Sequence, residues 1–132
     1  MKNENSWKQR FANYENAYLF FKKALESDTV NNELLRAGLI QSFEFTFELA
    51  WKTMKDKLEA GGVEVNLPRE VIQEAFQAKM IINGEVWLEA LKRRNEMSHL
   101  YDNVMTKKTE ELIRISFAPI FDDLYISLKK SL

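Results

Sequence analysis

The stretch Phe43-Glu44-Phe45-Thr46-Phe47-Glu48-Leu49-Ala50-Trp51 reads in two ways. By itself it alternates apolar with mostly polar residues, the period of a half-buried β-strand. Its surroundings decide otherwise. Leu35, Leu39, Ile40, Phe43, Phe47, Ala50, Trp51, Met54 and Leu58 carry a 3.6-residue period through the stretch and beyond it on both sides. No turn cluster interrupts the run between about Asn32 and Gly61-Gly62, a pair suited to a helix C-terminus. The segment is therefore expected to be helix from about Asn32 to Ala60. Phe45 and Leu49 fall away from the main stripe, so this helix is apolar on more than one face. Such a helix is central in a bundle or part of a subunit interface.

The rest of the chain agrees with an all-α reading. Four glycines and two prolines among 132 residues are too few for the many tight turns of a β-sandwich or barrel. Ahead of the second helix, Trp7, Phe11, Tyr14, Tyr18, Phe21 and Leu25 recur at spacings of three and four, with Ser6 and Gln9 placed as a capping box for a helix starting at Ser6. Ser27-Asp28-Thr29 forms the turn. Beyond Gly62, Pro68 suits the first residue of a short third helix with Val71, Ile72, Ala75, Phe76 and Met80 as its apolar face. Asn83-Gly84 marks a break before a fourth helix carrying Val86, Trp87, Ala90, Leu91 and Met97. Asp102-Asn103 loosens the chain before a fifth helix from about Thr106, striped by Leu112, Ile113, Phe117, Ile120, Phe121, Leu124 and Leu128. Pro119 lies inside that stripe, which predicts a kink or break between Ile115 and Pro119. The expected product is one domain over residues 1–132, an up-and-down four-helix bundle with an additional short helix.

Composition narrows the chemistry. There is no cysteine, hence no disulfide, thiolate metal site or cysteine nucleophile. The start MKNENSWKQR has no apolar leader core, and no apolar run approaches the roughly 20 residues of a membrane span, so a cytoplasmic protein is expected. The sixteen aromatic residues fit core or interface better than a base-stacking platform. No glycine-rich phosphate loop is present, and one histidine without paired acids makes no metal ligand set.

One segment still carries chemistry: Lys92-Arg93-Arg94-Asn95-Glu96-Met97-Ser98-His99-Leu100-Tyr101. If the fourth helix continues through it, Asn95 and His99 share a face, and Arg94 and Tyr101 share the neighbouring one, all within a wedge of roughly 160°. Arg94 also falls on the line of Trp87 and Leu91, where a charge needs a partner or a task. An arginine fork suits a phosphate, and histidine transfers protons near neutral pH. Together they suit metal-free RNA cleavage. His99 would assist attack by the ribose 2′-OH or protonate the leaving 5′-oxygen, Arg94 would stabilise charge on phosphorus, and Asn95 would orient the ring. One histidine cannot be acid and base at the same moment, but a two-fold homodimer would bring a second. Residues 88 to 108 hold five Lys/Arg against three acids, enough to attract a phosphate but too few for tight nonspecific RNA binding. The plain alternative is that His99 caps a helix, Tyr101 edges the core and the basic run is a solvated face.

Two stretches together resemble a known family. The segment from Leu39 to Thr53, LIQSFEFTFELAWKT, closely resembles the signature helix of the nucleotidyltransferase substrate-binding proteins, in the HepT-like branch of the HEPN superfamily. Arg94 to Tyr101, RNEMSHLY, matches that superfamily's R-x4-H-x-Y motif, including a polar residue after the arginine. The resemblance implies a homodimeric helical bundle paired with a small nucleotidyltransferase of the MNT type. In the toxin–antitoxin form, it implies a metal-independent ribonuclease with Arg94 and His99 as catalytic residues and Asn95 supporting. The partner antitoxin, using its own ATP and Mg, would silence the toxin by placing AMP on Tyr101. The chain itself would hold no cofactor. The family's other reading is a non-catalytic subunit that presents substrate to the nucleotidyltransferase.

Overall fold

A computed structural model of the chain describes residues 4–96 and 103–132. Among them every regular element is helical: α1 (Glu4–Leu25), α2 (Glu33–Ala60), α3 (Pro68–Gln77), α4 (Gly84–Glu96), α5 (Asn103–Leu112), a π-helical turn (Ile113–Phe117) and α6 (Ala118–Lys130). The last three run on without a break, so the bundle has four main rods and the short α3.

The ambiguous stretch lies in the middle of a 28-residue helix, and its ends are built as the residues around it suggest. Asn32 is the N-cap, its side-chain oxygen accepting from Leu35 N–H at 3.0 Å. At the other end Gly62 takes φ +91°, Gly62 N–H donates to Glu59 and Val63 N–H to Leu58, which satisfies the final carbonyls. The left-handed turn is why a glycine stands there. α2 is the central helix and packs against α1, α3, α4, α5 and α6. Phe43 stacks on Phe117 and Phe121, at ring separations of 5.2 and 5.7 Å, and Phe47 lies 5.9 Å from Trp87. These rings bind α4 and the C-terminal rod onto one side of α2. Trp87 and Phe121 are themselves 5.7 Å apart, closing the cluster. Each fully buried aromatic of this kind contributes about 2–3 kcal/mol by burial.

Four details differ from expectation. α1 is helical from Glu4, so Ser6 lies inside its first turns rather than at the N-cap. The apolar stripe from Trp7 marks the buried face, and nothing before it breaks a helix. α5 is likewise helical from Asn103, ahead of Thr106. Phe76, assigned to the buried face of α3, is 51% exposed; its ring instead covers Gly84, where a Cβ would meet it at 3.1 Å. Glycine at the start of α4 lets the two helices approach that closely. Finally, the disruption expected before Pro119 is a widening of the helix rather than a gap in it. Pro119 has no N–H and crowds the preceding turn, and the backbone widens into a π-turn, with Ala118 N–H bonding to Ile113 C=O. With that insertion Ile113 and Phe117, the two ends of the π-turn, stay buried together with Ile120, Phe121, Leu124 and Leu128 beyond it.

A polar clamp fixes the C-terminal rod to the α1–α2 connection. Buried Arg36 donates to Glu110 at 3.0 Å and to the carbonyls of Thr29 and Val30 at 2.8 and 3.0 Å. Arg114 donates to Glu110 at 2.9 Å and to Leu25 C=O at 2.7 Å, and Thr29 donates to the same carboxylate. Burial alone would push the Glu110 carboxyl up, but the hydrogen bonds from Thr29, Arg114 and Arg36 outweigh it and hold it below its ordinary value. Among the described residues no helix is long and apolar enough to cross a membrane.

Candidate functional site

α4 brings Trp87, Ala90 and Leu91 into the core, and Arg94 follows them on the same face one turn further on. Its guanidinium carbon lies 5.8 Å from the centre of the Phe47 ring, the ring that Trp87 packs against from the core side. Its Nη1 lies 3.3 Å from Glu48 Oε2. Its Nε is buried and has no hydrogen-bond partner among the described residues. The side chain as a whole is 28% exposed, so the fork is held from below and reaches solvent at its tip. A charge at the end of an apolar stripe is stabilised here by an aromatic face and a carboxylate, both from α2.

The α2 side of the site is a row of charges one turn apart, Glu44, Glu48 and Lys52. Glu48 Oε1 is 3.4 Å from Lys52 Nζ, so one carboxylate serves two cations. Burial raises the Glu44 carboxyl above its ordinary value, and the nearby Arg94 charge offsets part of that rise. Arg93, next to Arg94, pairs along its own helix with Glu89 at 3.4 Å. The local positive excess counted along the sequence is thus partly absorbed by acids, two of them on a different helix.

Of the sequence-designated residues, Arg94 is placed as above and Asn95 is exposed on α4. His99 and Tyr101 lie outside the described residues. Motif spacing missed Glu48, Glu44, Phe47 and Lys52, although the signals were present. Glu44, Glu48 and Lys52 follow one another at i, i+4 on a helix, and a misplaced arginine on an apolar stripe demands a counter-charge. The structure joins the two stretches that carried the family resemblance through Phe47, Glu48 and Arg94.

A second feature involves another face of α2. Phe20 and Phe45, 66% and 63% exposed, flank a groove of about 700 Å³ between α1 and α2, floored by Ala17, Gly38 and Ser42. It is the second apolar face expected from Phe45 and Leu49.

Comparison with known proteins agrees with the helical fold. A solved structure from Thermus thermophilus superposes with a TM-score of 0.76 at 23% identity, over 84% of this chain and 94% of that one. A Haemophilus influenzae structure, described as revealing the fold of a substrate-binding domain of a nucleotidyltransferase, superposes with a TM-score of 0.68 at 24% identity, over 96% and 99% of the two chains. A curated Haemophilus influenzae protein named "Probable ribonuclease HepT" is 30% identical over 79 residues, 56% of this chain and 54% of that protein; the match spans about half of the relative's length. The model of the family "Nucleotidyltransferase substrate binding protein like" matches residues 9–130, nearly the whole chain, and the chain belongs to that family.

Proposed function

We propose that the chain is a HEPN-type toxin, a metal-independent endoribonuclease acting through Arg94 and His99. The observation that carries this is the placement of Arg94. It is set on an aromatic face, its Nε is buried, and its tip reaches solvent at the end of α4 that leads into the histidine segment. A guanidinium held in this way presents a fixed, always-charged fork to a phosphate. In the reaction the ribose 2′-oxygen attacks phosphorus and the 5′-oxygen leaves. Arg94 stabilises the charge that develops on the phosphoryl oxygens, His99 takes or returns the proton, and Asn95 orients the imidazole. The relative named as a probable ribonuclease supports this reading.

On the same proposal the chain works as a cytoplasmic homodimer beside an MNT-type nucleotidyltransferase. That partner carries ATP and Mg and silences the toxin by transferring AMP to Tyr101. An adenylate two residues from His99 adds bulk and negative charge where an RNA phosphate must sit. The test is expression without the partner: growth arrest and RNA cleavage by the wild type, both lost in Arg94→Ala and His99→Ala. Absence of toxicity in the wild type, or its persistence in both variants, overturns the reading.

A second reading rests on the α1–α2 groove and the family's description. Here the chain is a non-catalytic subunit that binds the nucleotidyltransferase and presents its substrate. Co-purification with the transferase, lost on Phe45→Asp, supports it; no association at any stoichiometry counts against it.

A further inference from the structure

The ribonuclease reading deepens on one point, the double duty of Glu48. This carboxylate touches Arg94 through Oε2 at 3.3 Å and Lys52 through Oε1 at 3.4 Å. Charge-assisted hydrogen bonds between guanidinium and carboxylate or phosphate run at about 2.7–2.9 Å and are commonly two-pronged. The Arg94–Glu48 contact is longer and uses one nitrogen. An arriving phosphate that takes two short bonds from the same fork therefore outcompetes it. All three side chains are about a third exposed, so the exchange happens in solvent rather than in a sealed core. When Glu48 leaves Arg94, Lys52 still holds it, one turn along its own helix. Among the described residues of the site, Glu44, Glu48, Arg94 and Lys52 sum to no net charge.

We infer that Glu48 is a positioning residue that occupies Arg94 in the RNA-free protein, yields it to an RNA phosphate and is then retained by Lys52. This rests on the ribonuclease reading for its ligand, and on geometry alone for the hold on Arg94. Glu48 keeps the fork oriented between encounters and raises the threshold for casual anions.

The test measures binding of a fluorescent RNA oligonucleotide made uncleavable by 2′-deoxy substitution. Glu48→Gln, which keeps shape and removes charge, should bind about two- to five-fold tighter than wild type, the range expected for an exposed ion pair. Lys52→Met should bind about two-fold weaker, because Glu48 then stays on Arg94, and should have no effect in the Glu48→Gln background. Unchanged or weaker binding by Glu48→Gln overturns the proposal. So does an equal loss from Lys52→Met in both backgrounds, which would make Lys52 a plain RNA contact. A second measurement needs no RNA. Phenylglyoxal attacks a neutral guanidine, so a carboxylate beside Arg94 slows the reaction, and peptide mass analysis should show faster labelling of Arg94 in Glu48→Gln. Equal labelling overturns the hold itself. Faster labelling with no RNA binding by any variant overturns the ribonuclease reading, and with it the RNA phosphate as competitor.

Discussion

Arg94 and Glu48 are 46 positions apart in sequence, on two different helices, and their side chains meet at 3.3 Å. The contact joins the motif helix to the central helix at the point where the apolar stripe of α4 runs out. Phe47, one residue before Glu48, supplies the surface on which the guanidinium rests. Two stretches that look like separate signatures along the chain meet at this contact. Arg94 is thereby anchored while part of its side chain stays exposed.

The first expectation concerns Arg94 itself. Removing one preorganised donor to a developing oxyanion typically lowers the rate about 10²–10³-fold. Arg94→Ala should cut RNA cleavage by that factor while shifting stability by about 1 kcal/mol or less, because a partly exposed ion pair contributes little to folding. Arg94→Lys should recover only part of the rate, since an ammonium keeps the charge and loses the fork. Gel assays on labelled RNA and thermal melts separate the two effects. A large loss of stability in Arg94→Ala with no specific loss of rate would make the residue structural.

Glu110 gives a stability expectation with a definite pH dependence. Hydrogen bonds from Thr29, Arg114 and Arg36 hold its folded-state value below that of the unfolded chain. Its contribution is therefore complete above the ordinary glutamate value of about 4.3 and is lost as pH falls through the lower, folded-state value. Glu110→Gln leaves Arg36 buried without its carboxylate and should cost about 3 kcal/mol at neutral pH. Denaturant unfolding at a series of pH values should show the gap between wild type and variant narrowing only in acid. A gap that is constant down to pH about 3 would contradict the assignment.

Much of this architecture is legible in the sequence, because long helices advertise themselves by period. Asn32 and Gly61-Gly62 bracket α2 as read, and the buried faces of α1, α2 and the C-terminal rod follow their stripes except at Leu35, which lies in the first turn of α2 and is 40% exposed. Periodicity marks which face is buried, not where a helix begins, and so Ser6 and Thr106 are misplaced as starts. Phe76 fits the stripe of α3 yet covers Gly84 from outside, a tertiary contact that no local pattern encodes. Within the site, Arg94 was legible as a charge out of place. Its partners were legible only as a charged row on α2, because nothing in the spacing of one helix states which turn of another will face it.

Pro119 permits a sharper test of why the π-turn exists. The turn inserts one residue and keeps the buried residues on both sides of it facing the core. Deleting Ser116 alone would restore a regular α-helix in the same register but drive the proline ring into the preceding turn, at a cost of about 3 kcal/mol. In a Pro119→Ala background the same deletion should cost far less, and Pro119→Ala alone should change little because both buried sets still fix the register. Thermal melts of the three variants decide it. An equal cost of the deletion in both backgrounds would separate the π-turn from the proline.

Tyr101 offers a direct chemical readout. Co-expressed with a functional MNT-type nucleotidyltransferase, the chain should gain one or more AMP groups, located at Tyr101 by peptide mass analysis and absent from Tyr101→Phe. The unmodified Tyr101→Phe protein should cleave RNA but resist silencing. An unmodified phenol in the presence of active transferase would leave the tyrosine a structural residue and remove the proposed control.

The last expectation follows from the histidine count. With His99 as the one histidine of the chain, a single imidazole cannot act as acid and base at the same moment in the proposed cleavage, and a two-fold pair of protomers brings a second. Specific activity should then fall on dilution below the dissociation constant of the dimer. Mixing wild type with His99→Ala under subunit exchange should lower activity with the square of the wild-type fraction, because only dimers with both histidines would be competent. A linear fall would mean that each protomer carries a complete site, and the second proton-transferring group would have to come from the same chain. Glu44, a carboxyl raised by burial and within the field of Arg94, would then be the residue to substitute next.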